Sequence, residues 1–391
     1  MRLYLLALNP TDSVTEGFLP AAERLGLDVT VLTDDPAPHR RVPYPAGVEV
    51  VGCEVREIRE VVGAITQRPA PAAVFTNSDH LQTQAALAAE YLGLPGKDWR
   101  AALRTKNKAQ LRRHLADVWC AEVPAGAAPD TSRTRYPCVV KPREGVASED
   151  VVRVADEREL LARCAEIQAR RPGAALLVEE FLPGELHTLE TLGDGHGTRH
   201  VLGGFHTELS PPPYFIEERM VFEPEPPPGV VEQVLAQLDA LGVGFGACHT
   251  EYVVHDGQAR LIEVNYRAAG DQVDLLLDGL LGVPFFEHVL RAHLGEPLPA
   301  DLGARADRAA RIDYPYADRA GTLTSAPEAA ELTVDGVRLT YRPLRRTGER
   351  RPLHHTNRDY LGVLRTTGAD QAAVDRAATG FLAAQRWEIT R

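Results

Sequence analysis

The sequence predicts a mixed α/β and α+β protein in three parts: a parallel α/β domain over residues 1–96, a larger region over residues 97–298, and a small C-terminal α+β unit over residues 299–391. Three observations carry this. Short apolar runs alternate with helical-period segments over about the first hundred residues, the pattern of a parallel sheet with crossover helices. Two punctuations, Leu94-Pro95-Gly96 and Gly295-Glu296-Pro297-Leu298-Pro299, break that pattern. Between them, residues 242–271 read as two strands about a turn, with carboxylates on otherwise apolar strands.

The composition sets the bounds. At 391 residues, 44% hydrophobic and 25% charged, the chain has room for several domains, each with its own core. A net charge of -12 and the lack of a basic run argue against a nucleic-acid partner. No apolar run approaches membrane-spanning length. The initial LYLLAL is followed by Asn9-Pro10 and reads as a first strand, not a signal peptide. Cys53, Cys120, Cys138, Cys164 and Cys248 are odd in number and lack metal-ligand spacing, so free thiols in a reducing cytoplasm are expected.

In the first part, residues 3–8, 29–32, 48–51 and 72–75 are strand-like, and residues 16–25, 58–65 and 81–92 are helical by apolar spacing. Ligands of parallel sheets bind at the carboxyl ends of the strands. Asn9, Thr11, Asn77, Ser78 and Asp79 are therefore candidates for a substrate loop, with simple helix capping as the equal alternative.

In the second part, residues 99–115 read as one basic helix carrying Arg104, Lys106, Lys108, Arg112 and Arg113. Residues 136–142 form a buried strand ending in Lys141, followed by a loop at 143–149 and a strand at 151–154. A helix at 157–170 leads to a strand at 175–181 with acidic residues at its end. Strands at 186–192 and 200–207 flank a glycine-rich turn. The proline-rich stretch within residues 208–222 is either a surface excursion or a wall of a substrate pocket. Helices follow at 230–241, 273–281 and 285–294. The third part offers short strands at 311–314, 321–323, 331–334, 337–341 and 360–366 and a helix at 370–385.

The chemistry concentrates in the hairpin of the middle region. Glu263 and Asn265 are two apart and share a face, with Ile262 and Val264 expected on the other, in a core. Carboxylates beside such strands are costly unless something pairs them, and magnesium prefers a few carboxylates plus phosphate oxygens. Adding Glu251 to this set makes a geometric demand. A two-residue Asp256-Gly257 turn would pair Glu251 with Ile262 and separate the two glutamates, so a shared metal requires an odd-length turn or a bulge.

Three further features point to phosphate. Lys141, at a strand end before small residues, can place an ammonium and backbone N–H groups around a polyphosphate. Lys108 is a second cation, whereas Lys106 is expected in solvent. The linker Glu179-Glu180-Phe181-Leu182-Pro183-Gly184-Glu185 can bond an adenine edge and then offer a carboxylate to ribose hydroxyls. Arg267, directly after the metal candidates, would face developing phosphoryl charge. His249 is expected to be a core or supporting histidine and not a base.

Taken in this order, Lys108, Lys141, the EExxxGE linker, His249-Thr250-Glu251 and Ile262-Glu263-Val264-Asn265-Tyr266-Arg267 resemble the ATP-grasp superfamily. The chain looks most like the carboxylate–amine ligase branch that includes bacterial L-amino acid ligases. The resemblance spans about residues 1–300. It implies an ATP-grasp fold with an N-terminal parallel α/β domain and a middle region divided at about residue 178. Lys108 and Lys141 would contact ATP phosphates, and Gly145, Ala147 and Ser148 would close over them. Glu179, Glu180 and Leu182, with Phe181 in the same linker, would read adenine, and Glu185 would hold the ribose. Glu251, Glu263 and Asn265 would bind magnesium, with manganese as an alternative, and Arg267 would stabilise the acyl-phosphate and the adduct that follows. The implied activity joins a small-molecule carboxylate to an amine, with ADP and phosphate released, and a homodimer is the implied assembly. Phosphoryl transfer, carboxylation and nucleotide binding without catalysis are the alternatives. Two departures stand out: the phosphate loop, GVASED, is poor in glycine, and Tyr266 replaces the family's proline before the arginine.

Overall fold

The computed structural model describes residues 1–226, 229–303 and 307–391. The first strand, Arg2–Leu6, lies inside a four-stranded parallel sheet, between Asp28–Thr33 and Pro71–Phe75, with Val48–Gly52 outermost. Its side chains alternate between two cores: Leu3 and Leu5 pack on one face and Tyr4 and Leu6 on the other. Covering on both faces is what a parallel sheet requires, and it explains the nearly unbroken apolar run.

The middle region supplies two antiparallel sheets that face one another across a cleft. The smaller has the order Cys120–Val123, Leu176–Glu180, Cys138–Pro142, Val152–Val154 and is backed by the helix Glu157–Arg170. That helix starts where predicted because the Asp156 side chain accepts from the Glu159 N–H. The larger sheet has ten strands. It begins with Gln258–Asn265, Phe245–His255, Glu185–Asp194, Gly204–Leu209 and Glu217–Glu223, and runs on into the C-terminal residues through Ala309–Asp313, Gly362–Gly368, Val337–Pro343 and Ala330–Val334. A separate three-stranded sheet joins Arg350–Arg351, Gly321–Ser325 and Glu388–Thr390.

Two sequence expectations are corrected. The basic helix over 99–115 is two helices, Trp99–Lys106 and Lys108–Leu115. Asn107 is extended between them, and its side chain caps the second by accepting from the Gln110 N–H. The segment 208–222 is not all loop: Glu217–Glu223 is an interior strand, paired on both sides. Its proline-rich start, with Pro212 and Tyr214, does form a cavity wall. All five cysteines are free. Among the described residues no helix is long and apolar enough to cross a membrane.

Candidate active site

The hairpin satisfies both of the demands placed on it. Asp256 and Gly257 adopt φ of 51° and 72°, and His255 pairs with Gln258, so the turn has the two residues its Asp-Gly favours. Tyr252 then pairs with Leu261, but Glu251 pairs with Glu263, because a bulge at Ile262 takes up one residue. Ile262 therefore lines the cleft beside Glu263, against the expectation that it would share the core with Val264. Next along the ladder, His249 pairs with Asn265, whose Nδ2 donates to Glu251 Oε1 at 3.2 Å.

A cavity of about 350 Å³ lies between the two antiparallel sheets. Lys108, Lys141, Gly145, Ala147, Ser148, Glu179, Glu180, Phe181 and Leu182 line one side, and Glu251, Glu263, Asn265 and Arg267 the other. Glu185 is the exception. Gly184 and Leu186 face the cavity, so the residue between them points away. Its side chain is 77% exposed and comes no nearer to a partner than 4.0 Å from His206 Nε2. Nothing in the structure places it against a ribose.

The buried charges form linked pairs. Glu179 holds Lys141, and also Arg112, whose Nε lies 2.9 Å from Glu179 Oε2. Burial alone would raise the Glu179 carboxyl, but Arg112 and Lys141 hold it down, to about 2. Arg112 also donates to the Leu261 carbonyl at 2.6 Å, tying the smaller sheet to the hairpin. Lys108 Nζ lies 2.8 Å from Glu263 Oε1. Lys106 is not in solvent: it pairs with Asp79 of the first domain and donates to the Gly145 carbonyl at 3.3 Å. The break at Asn107 lets both Lys106 and Lys108 reach the cleft.

Three carboxylates of this region escaped the sequence reading. Glu190 accepts from His249 Nδ1 at 2.7 Å, while His249 Nε2 lies 3.7 Å from Glu251. Burial opposes protonation of His249, but Glu190 and Glu251 outweigh it and bring its pKa up to about 10, so it stands as a cation. Glu217 is raised by burial and by Glu251 and Asp271, and it also lines the cavity. Asp274, fully buried, is pushed up to about 7, mainly by burial. The only signal for Glu190 was a carboxylate on an apolar strand; Glu217 was hidden by the proline-rich stretch before it.

Arg267 is braced on both sides by the first domain. Lys97, buried, donates to the Tyr266 carbonyl and, at 2.7 Å, to Gln82 Oε1. Asn77 Oδ1 accepts from the Ala268 N–H at 3.1 Å. The Tyr266 hydroxyl accepts from the Gly244 and Phe245 N–H groups at 3.1 and 3.0 Å. The missing proline is thus replaced by a tyrosine that pins the run through its hydroxyl. On the far side of Arg267 lies a second cavity, of about 480 Å³, lined by Asn9, Thr11, Asp12, Asn77, Ser78 and Asp79. Val146, Arg267, Gly270 and Asp271 line both cavities.

The phosphate loop compensates for its few glycines by bending non-glycine residues. Ala147, Ser148 and Asp150 have φ of 56°, 54° and 57°. A side chain in that region costs about 1–2 kcal/mol per residue.

Among the described residues, no three His, Cys, Asp or Glu side chains form a metal-holding group. Two carboxylates and an amide fit magnesium only in its usual form, completed by waters and phosphate oxygens. Glu251, Glu263 and Asn265 supply that partial set on the floor of the cavity.

The comparisons agree with this geometry. Residues 134–274 match the ATP-grasp domain. A curated relative, the uncharacterised protein y4rH of Sinorhizobium fredii, is 27% identical over 83% of this chain and 70% of its own length. The L-amino acid ligase of Bacillus licheniformis superposes with a TM-score of 0.82 at 23% identity, covering 100% of this chain and 99% of the other. The phosphoribosylglycinamide synthetase of Anaerococcus prevotii superposes with a TM-score of 0.70 at 13% identity, over 100% and 99% of the two chains. The chain is thus an ATP-grasp protein, with its ATP-grasp domain over residues 134–274 and the fold of the superfamily around it.

Proposed function

We propose that the protein is an ATP-dependent carboxylate–amine ligase acting on small molecules, with amino acids the first substrates to test. The observation that carries this is the position of Arg267 between two adjoining cavities. One is lined by the phosphate- and metal-type residues, the other by the first domain's strand-end loops. A phosphorylating site and an acceptor site that share one guanidinium suit two-step chemistry. In the first step the γ-phosphoryl group passes from ATP to a substrate carboxylate, giving an acyl-phosphate and ADP. In the second an amine attacks the acyl carbon, the C–O bond to phosphate breaks, and the nitrogen loses a proton.

Lys108 and Lys141 would hold the phosphates, with the loop at 145–148 over them. Glu251, Glu263 and Asn265 would hold magnesium, which when bound neutralises phosphate charge and favours in-line transfer. Glu179 is taken up by Lys141 and Arg112, so adenine recognition falls to Glu180, Phe181 and Leu182. Arg267, fixed by Lys97 and Asn77, is preorganised for charge on the acyl-phosphate and on the tetrahedral adduct. The similarity in fold to an L-amino acid ligase supports this reading.

The test is ADP and phosphate release measured across the amino acids, singly and with a second amine. Release that needs both a carboxylate and an amine, with a matching amide in the mass spectrum, is expected. ADP release that follows an acceptor hydroxyl or bicarbonate instead would redirect the assignment to phosphotransfer or carboxylation.

A further inference from the structure

The C-terminal residues reach the phosphate loop through a single turn, Asn357–Asp359. The Asn357 N–H donates to the Ala147 carbonyl at 3.3 Å. The next residue, Arg358, forms an ion pair with Glu149 through its Nε. Asn357 lines the nucleotide-side cavity and Arg358 the acceptor-side cavity. The turn thus touches the loop where the loop separates the two spaces, at Val146, which lines both.

This turn is built to hold its shape. The buried Asp359 carboxylate accepts from the backbone N–H groups of His354, His355 and Thr356, and Thr356 and Asp359 complete a reciprocal capping box. The His355 ring stacks on Tyr214, with centroids 4.2 Å apart. Asn357 Oδ1 accepts from the Glu217 N–H at 3.2 Å, which fixes the turn to an interior strand of the large sheet.

The loop has the opposite character. Three of its residues, Ala147, Ser148 and Asp150, are held left-handed without glycine, a conformation that persists only where the surroundings impose it. From within its own subdomain the loop is held by Arg170 and Arg171, through Asp150 and Glu149. The C-terminal turn is its tether from the opposite side. The Arg358 side chain is 55% exposed, so its pair with Glu149 is weak and reversible, as a contact that must open and close requires.

We propose that Arg358 is a positioning residue that latches the loop at 145–150 in its closed form, so that the C-terminal residues set how often the nucleotide cavity is shut. The proposal rests on reading that cavity as the nucleotide site. A rigid turn grips a strained loop at its midpoint, and release of the grip opens the cavity without disturbing either sheet.

The test is amide hydrogen exchange of residues 145–150 in the full chain, with and without magnesium and a non-hydrolysable ATP analogue. In Arg358→Ala, exchange of this segment is expected to quicken about threefold or more in the nucleotide-free protein, with exchange of the central strands unchanged. Affinity for the analogue is expected to fall about three- to tenfold, since the binding-competent form is populated less. Arg358→Lys should recover part of both effects, and Glu149→Gln should reproduce them, with the double variant no worse than the single ones. Exchange at 145–150 that is the same in Arg358→Ala as in the wild type overturns the latch. If the wild type fails to bind the analogue, the nucleotide reading falls, but exchange in the free protein still decides the latch.

Discussion

Glu251 stands directly opposite Glu263 because Ile262 is bulged out of the pairing between their strands. Two carboxylates on one face, with Lys108 and His249 as their nearest cations, form a site in which both must be charged at once. Either Glu251→Gln or Glu263→Gln should lower magnesium-dependent ADP formation by about a hundredfold or more, with the double variant little worse than either alone. A magnesium titration of the initial rate checks this. Near wild-type rates in both single variants would remove these residues from the metal set.

Glu179 is the hub of the buried charges. Glu179→Gln leaves Arg112 and Lys141 buried without a counter-charge, and a loss of about 3–5 kcal/mol in unfolding free energy is expected. Adding Lys141→Met should restore part of that loss, because one of the stranded cations is then gone. Denaturant unfolding of the three proteins measures both effects. A loss under about 1 kcal/mol would show that water relieves this cluster.

Lys97 acts on Arg267 through the Tyr266 carbonyl. Lys97→Met should lower kcat about 10- to 100-fold, the scale of a small misplacement of a reacting group, while the affinity for ATP stays within about twofold. Tyr266→Phe strands the Gly244 and Phe245 N–H groups and should cost about 1–3 kcal/mol in stability. Steady-state kinetics beside calorimetric nucleotide binding separate the two effects. Equal losses in kcat and in ATP affinity would mean that Lys97 supports the whole cleft and not Arg267 in particular.

Asp274 gives a pH signature. Burial raises its pKa from 3.8 to about 7. Between those values the folded chain keeps a proton that the unfolded chain has released, so the folded state loses stability as pH rises across that window. Asp274→Asn does not titrate and avoids this loss. Its advantage should be absent near pH 4 and grow to about 1–4 kcal/mol above pH 7, at about 1.4 kcal/mol per unit. Melting curves at pH 5 and pH 8 read it directly. An advantage that is equal at both would mean that Asp274 is not protonated in the folded protein.

Much of the fold was legible because its signals are local. The helices Glu157–Arg170, Val230–Leu241 and Val273–Leu281 have the predicted bounds, since caps and glycines sit at their ends. The break at Asn107 was hidden because Asn suits both a helix interior's neighbours and an N-cap, and only the long-range pairing of Lys106 with Asp79 selects the cap. Glu217–Glu223 was missed because three prolines masked a strand whose partners lie far away in sequence. At the site, the motifs gave most of the lining but not the direction of Glu185, which depends on where its strand begins. They also gave no hint of Arg358, whose role depends on a turn more than 200 residues from the loop it meets.

The strand Ala309–Asp313 binds the floor of the nucleotide cavity to everything that follows it, pairing with Glu217–Glu223 on one side and Gly362–Gly368 on the other. The last ninety residues are therefore a poor place to cut. A shortened chain ending near residue 298 would leave the N–H and C=O groups of Glu217–Glu223 bare along one side, an invitation to aggregation. Mechanically, the sheet works as a single plank. Load applied near the C-terminus is carried through backbone hydrogen bonds to the strand that bears Glu217, beside the catalytic floor.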